Sequence, residues 1–286
     1  MAPTTYTSRP RHRVGGSAVA RSTRTHTRQR HTTPHARHSG ASRAVFTGTA
    51  GRSSWTEKEL ISAKLNDSQL ASLATRTQAY QDQLQSGNPT AQAGRDYLGQ
   101  RKLLATAVKY RLGVVAEPLP GDELNLGRLV IPYLTLAGVR AVKYRCITDH
   151  GDSKCHDVGH PKYMQPLGQE QRLFNALAYF GGHDTIGVAE GELDAITATE
   201  HLEIPTFGVP GAVQWDKHGR FWNLVLRDFS TVIVFADGDP PGRQLATKIA
   251  ADAGPGARIV HCPDGEDINS MVVAGNGDEL VKKAGL

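Results

Sequence analysis

The 286-residue chain has three cysteines, Cys146, Cys155 and Cys262, and none in its first hundred residues. So odd and sparse a set argues against a disulfide framework and fits a reducing compartment. It also excludes a zinc ribbon of paired CxxC type from the amino-terminal third. No window approaches the roughly 18 continuous apolar residues that a membrane span requires, and the first 50 residues lack the apolar core of a signal peptide. A soluble cytoplasmic protein with no membrane partner is expected. No Gly-x4-Gly-Lys-Ser/Thr stretch is present, so no P-loop motor is expected in the chain, and no repeat of solenoid period is visible.

Residues 1–53 contain neither acid nor lysine, but ten arginines. With almost no large apolar side chains to bury, this stretch is expected to be a disordered basic tail, either a nonspecific nucleic-acid tether or a solvated tail without consequence. The formal net charge of +5 therefore hides a split, because the remainder sets 23 basic residues against all 28 acidic ones. A polyanion would be attracted only by local basic patches on that acidic body. The 39% hydrophobic content is enough for an ordinary core.

Beyond the tail, the hydrophobic period divides the chain. Ser54 or Thr56 suits a helix cap, and Leu60, Ile61, Leu65, Leu70, Leu73, Tyr80 and Leu84 recur at helical spacing. Gly87-Asn88-Pro89 interrupts the pattern, which resumes from Thr90 to Tyr110. Residues 54–116 thus read as a helical subdomain. Residues 117–182 change to strand character, with a hairpin of Arg128–Leu134 and Val139–Ile147 turning at Ala137-Gly138. Pro132 marks an edge strand or a bulge. Residues 183–286 alternate strand and helix: Ile186–Ala189, Glu192–His201, Thr206–Val209, Trp215–Leu226, Val232–Ala236, Gly242–Ala253, Arg258–His261 and Asp278–Lys283. This is the pattern of an α/β domain, a Rossmann-like parallel sheet of about four strands with helices on both faces.

Two of those strands end on acids. Glu190-Gly191-Glu192-Leu193-Asp194 follows the first, and Asp237-Gly238-Asp239 follows the third. Ligand crevices of open α/β sheets lie at the carboxyl ends of the strands, so Glu190, Asp237 and Asp239 would share one site if the strands are neighbours. Three carboxylates within about 4 Å would repel by several kcal/mol per pair at an effective dielectric near 20. All-oxygen donors of this kind suit Mg2+ or Mn2+ and imply metal-assisted phosphoryl or nucleotidyl transfer, or phosphodiester hydrolysis. Glu192 and Asp194 could equally be helix-start acids, and Arg243 a phosphate ligand or a surface charge.

The pattern resembles the TOPRIM domain of DNA primases. Glu190-Gly191 with Asp194, and Asp237-Gly238-Asp239 before Gly242-Arg243, match its two motifs. Pro240-Pro241 departs from the residues usual there, which puts the helix start in question. Asp264-Gly265-Glu266-Asp267-Ile268-Asn269 is similar to a further acidic segment of the family. Upstream, Tyr97-Leu98 with Arg101 resembles the Tyr-Leu-x-x-Arg-Gly element of bacterial and phage primases, with Lys102 where glycine is usual. Gly127-Arg128 through Pro132, Lys143-Tyr144-Arg145 and Pro161-Lys162-Tyr163 resemble the strands and basic elements that follow. The resemblance spans about residues 56–286 and is nearest to the compact primases of actinobacterial phages, the TOPRIM part being preceded by a small α+β primase-type subdomain.

That resemblance implies synthesis of short RNA primers on single-stranded DNA during phage DNA replication, in the host bacterial cytoplasm. It implies that Glu190, Asp237 and Asp239 are catalytic and hold Mg2+ or Mn2+, with Asp194 and Asp267 as supporting ligands. It also implies that Arg128, Arg145, Lys162 and Arg243 meet nucleotide or nucleic acid. Ribonucleoside triphosphates, a replicative helicase and a separate zinc-binding template-recognition protein are the implied partners. A TOPRIM nuclease and a non-catalytic DNA-binding accessory protein are the competing readings. Cys146, His150, Cys155, His156 and His160 could supply zinc ligands, but Cys-x8-Cys-His-x3-His is an unfamiliar spacing. They are expected to be an incidental polar loop without Zn2+.

Overall fold

A computed structural model describes residues 65–286, except 152, 154, 156, 167 and 168. The tail and the expected helix start at Ser54 or Thr56 lie outside the described residues. Helix α1, Asp67–Leu84, starts at a capping box in which Asn66 and Gln69 satisfy each other's backbone N–H groups. Leu73, Thr77, Tyr80 and Leu84 form its buried stripe. Helix α2, Pro89–Gln100, is capped by Asn88 and carries proline in its first turn.

The helical period expected to run to Tyr110 ends instead at Gln100. Lys102 adopts a left-handed backbone with φ of 58°. Its N–H bonds Gly99 O at 3.0 Å, and the Leu103 N–H bonds Leu98 O at 2.8 Å. This pair of bonds is a Schellman stop, whose left-handed position favours glycine. Only a short 3-10 turn, Leu104–Thr106, follows.

An antiparallel sheet comes next, in order β1 (Gly113–Val114), β2 (Leu129–Thr135), β3 (Gly138–Arg145), β4 (Tyr163–Met164). Strand β1 covers only Leu129 and Val130, so among the described residues β2 has no ladder partner on that flank at Pro132. The register shifts one residue later, between Tyr133 and Leu134. Both features accommodate a proline. The short strands β1 and β4 were not apparent in the sequence pattern. Buried Asp122 ties α1 to this sheet, accepting hydrogen bonds from Arg76 at 2.7 Å, Tyr80 at 2.6 Å and Tyr144 at 3.2 Å.

The second sheet is parallel, in order β6 (Thr206–Val209), β5 (Thr185–Glu190), β7 (Thr231–Ala236), β8 (Ala257–His261). Alternate residues of each strand face opposite ways. Val232, Val234 and Ala236 of β7 pack with Trp215, Trp222 and Val225 of α4 (Ala212–Leu226) and Leu245 and Ile249 of α5 (Pro240–Ala253). Ile233 and Phe235 pack with Ala198 of α3 (Glu192–His201), Ile268 and Met271 of α6 (Ile268–Val273) and Leu280 of α7 (Gly277–Ala284). The domain is the expected doubly covered α/β sheet; α6 was not foreseen. Leu193 and Ile196 of α3 join the core of the antiparallel sheet, so this helix is shared by both sheets. Among the described residues, no helix is long and apolar enough to cross a membrane.

Candidate active site

Strands β5 and β7 lie side by side and parallel, with Val188 opposite Val234. Their carboxyl ends therefore deliver Glu190 and Asp237 to the same edge of the sheet. Asp239 ends the intervening turn and caps α5, its Oδ1 accepting the Gly242 N–H at 2.7 Å. Helix α5 starts at Pro240, so the double proline occupies a first turn whose N–H groups need no helical partner.

The Asp-Gly-Asp turn is held against residues 263–267. The Gly238 N–H bonds Glu266 O at 2.8 Å, and the Gly265 N–H bonds Gly238 O at 3.0 Å. A Cβ on Gly238 would lie 1.7 Å from the Pro263 carbonyl oxygen, so no other residue fits without moving that segment. This contact brings in Asp267, which caps α6 by accepting the Ser270 N–H at 2.7 Å. Asp194, in the first turn of α3, accepts the Asn269 N–H at 3.0 Å.

Five carboxylates thus converge. Desolvation, then repulsion from Asp194, Glu190, Asp267 and Asp239, pushes the Asp237 carboxyl up to about 8. Desolvation and Asp267 push Asp194 up to about 7, against the pull of Arg101 and Arg145. Glu190 is raised by desolvation and by Asp239, with Lys162 opposing. Asp237 Oδ1 is buried and has no hydrogen-bond partner among the described residues. A buried, unpaired carboxylate oxygen facing other acids is costly unless a cation or a proton occupies the space. Its all-oxygen surroundings suit Mg2+ or Mn2+.

These shifts give a pH dependence of defined sign. Carboxyls raised in the folded state contribute stability that is full below their ordinary range and lost as pH rises through about 7 to 8. The metal-free protein should weaken over that window, while a bound cation displaces the protons. We expect the Mg2+-induced rise in melting temperature to be larger at about pH 9 than at about pH 6. An equal or smaller rise at the higher pH would count against metal binding at these acids.

The expected cations are distributed unevenly. Lys162 acts on both Glu190 and Asp194, and desolvation followed by Arg145 and Arg101 lowers its ammonium. Arg145 donates to the Tyr163 hydroxyl and lies over the Tyr97 and Tyr163 rings. Arg128 is instead buried, its guanidinium donating to Pro161 O at 3.0 Å, so it supports the segment that carries Lys162. Arg243 pairs with exposed Asp264 beside the Gly238 carbonyl.

Two residues that the sequence pattern quotes without a site role join the site. Arg101, just past the end of α2, donates to the Asn269 side chain at 3.0 Å, and Asn269 returns a bond to Arg101 O. Together they link the helical region to the acids. The resemblance to the Tyr-Leu-x-x-Arg-Gly element was the one signal for Arg101.

The gene 57 protein of Mycobacterium phage D29 is 40% identical to this chain over 162 residues, covering 55% of this chain and 97% of that protein. No protein-family model matches the chain. The structure is similar to that of a DNA primase domain from Pseudomonas aeruginosa, with a TM-score of 0.58 and 22% identity, covering 74% of this chain and 77% of that one. It is also similar to a DnaG primase catalytic domain bound to single-stranded DNA, with a TM-score of 0.55 and 20% identity, covering 77% and 82%. At such identities these are likenesses of fold.

Proposed function

Because the chain belongs to the family of the gene 57 protein of Mycobacterium phage D29 and has the fold of TOPRIM-containing primase catalytic domains, we propose that it synthesises RNA primers on single-stranded DNA. The observation that carries this reading is the placement of Glu190, Asp237 and Asp239 at one sheet edge, with Asp194 and Asp267 behind them and Lys162 alongside. Acids alone would repel a nucleoside triphosphate. Acids holding a divalent cation, flanked by Lys162, Arg145 and Arg101, offer its phosphates a balanced site.

A bound Mg2+ or Mn2+ would neutralise phosphate charge and acidify the attacking primer hydroxyl. Glu190, Asp237 and Asp239 would hold it, and Asp239 is fixed for that task by capping α5. Lys162 would orient the triphosphate, and Arg128 would keep its segment in place. Asn269 and Arg101 would hold Asp194 in position.

The test uses the purified full chain with single-stranded DNA, ribonucleoside triphosphates and Mg2+ or Mn2+. Short RNA products are expected. DNA cleavage without RNA synthesis would replace this reading with a nuclease, and DNA binding with neither product would replace it with an accessory protein.

A further inference from the structure

Seventeen residues separate β3 from β4, and they contain few apolar side chains to hold them together. Val158 is about half exposed, Ile147 packs against the core at the start of the stretch, and the rest is mostly polar, glycine or proline. A connection this long in a compact domain requires its own source of order. The structure supplies a cluster within it: Cys146, His150, Cys155 and His160 bring one ligand atom each to within 4.8 Å of one another. Cys146 Sγ lies 3.5 Å from His150 Nε2 and 4.0 Å from His160 Nε2, and the two imidazole centroids are 4.8 Å apart. The sequence offered these residues as possible ligands, but their unfamiliar spacing pointed to an incidental loop rather than to this convergence.

We propose that these four side chains form a structural zinc site. Two thiolates and two neutral imidazoles are a closed Cys2His2 donor set whose charge balances Zn2+. Tetrahedral zinc, with bonds of about 2.0–2.3 Å, separates its ligand atoms by about 3.3–3.8 Å, so the observed cluster needs to contract by only about an ångström. Hard cations such as Mg2+ prefer oxygen donors and are not expected here.

The site has a structural purpose at the neck of the loop. The Cys146 N–H bonds Lys162 O at 2.8 Å, and the His160 N–H bonds Cys155 O at 3.1 Å. Cys146 directly follows Arg145, and His160 is two residues before Lys162. A metal joining Cys146 to His160 would close the neck and fix Arg145 and Lys162 beside the carboxylates. The site itself stands independently of the proposed polymerase reaction, so the test reads metal rather than activity.

The full chain, purified under reducing conditions without chelator, should contain about one zinc per chain by elemental analysis. Replacing zinc by cobalt should give the wild-type protein a thiolate-to-cobalt charge-transfer band and the visible bands of a tetrahedral ion. Cys146→Ser and Cys155→Ser should lose both signals while keeping the wild-type circular dichroism, and Asp237→Asn should keep them. Chelation should increase proteolytic cleavage within residues 147–159 at least tenfold. Four outcomes would overturn the proposal: a zinc-free protein with free thiols, a Cys146–Cys155 disulfide in the reduced preparation, cobalt spectra without the thiolate band, or zinc lost only in Asp237→Asn. The cobalt spectrum of the unmodified chain decides the matter even if the serine variants fail to fold.

Discussion

Asp237→Asn will lower RNA synthesis on single-stranded DNA by at least about a hundredfold, the loss typical when one preorganised charge-stabilising group is removed. The same substitution will not destabilise the metal-free protein. Asp237 is desolvated and is repelled by four carboxylates, Asp194, Glu190, Asp267 and Asp239, and its Oδ1 is buried with no hydrogen-bond partner among the described residues. Asparagine keeps the shape and removes the charge. Above about pH 8, where the wild-type group ionises, the metal-free variant should melt at a temperature equal to or higher than wild type. It should also lose most of the Mg2+-induced rise. Loss of activity with gain of metal-free stability is the signature of a group kept for chemistry at a structural cost. Lower stability together with lower activity would identify Asp237 as a packing residue and remove the metal argument.

The parts of this site that were legible in the sequence share a physical origin. Buried parallel strands are continuous apolar runs, so Thr185–Glu190 and Thr231–Ala236 stand out, and the acids that terminate them can only lie at the carboxyl edge. The pairing of β5 with β7 then brings Glu190 and Asp237 together. What could not be read depends on tertiary contact. The helical pattern through Tyr110 is genuine as a pattern, but a lysine at a left-handed position conceals the stop that glycine would have announced. Strands β1 and β4 are two residues long and acquire strand form only from their neighbours. Arg128 has the charge of a phosphate ligand, yet its burial against the Pro161 carbonyl turns it inward. Cys146 and His160 are fourteen residues apart and meet only because β3 and β4 pair.

The Lys143–Glu192 ion pair shows how the two sheets are locked, and breaking it should cost about 3–5 kcal/mol. Glu192 is the first residue of α3, 1% exposed, and its Oε1 accepts from Lys143 Nζ at 2.6 Å and from the Tyr133 hydroxyl. Burial alone would raise this carboxyl, but the charge of Lys143 and hydrogen bonds from Lys143, Tyr133 and the Glu192 backbone carry it below the ordinary range. Lys143→Met therefore leaves a buried negative charge with the Tyr133 hydroxyl as its one remaining side-chain donor, and Glu192→Gln leaves a buried ammonium facing an amide. Either variant should lower the urea midpoint without changing the slope. The double variant should recover part of the loss, because neither charge is then stranded. If the two losses simply add, the residues act separately and the lock does not exist. Activity should fall as well, at temperatures where the single variants remain folded. Glu192 is two residues from Glu190, and Lys143 is two residues from Arg145, so the pair that joins the sheets also sets the distance between the acids and the cations of the site. Partial rescue of both stability and RNA synthesis in the double variant would show that the same contact governs the fold and the geometry of the reaction.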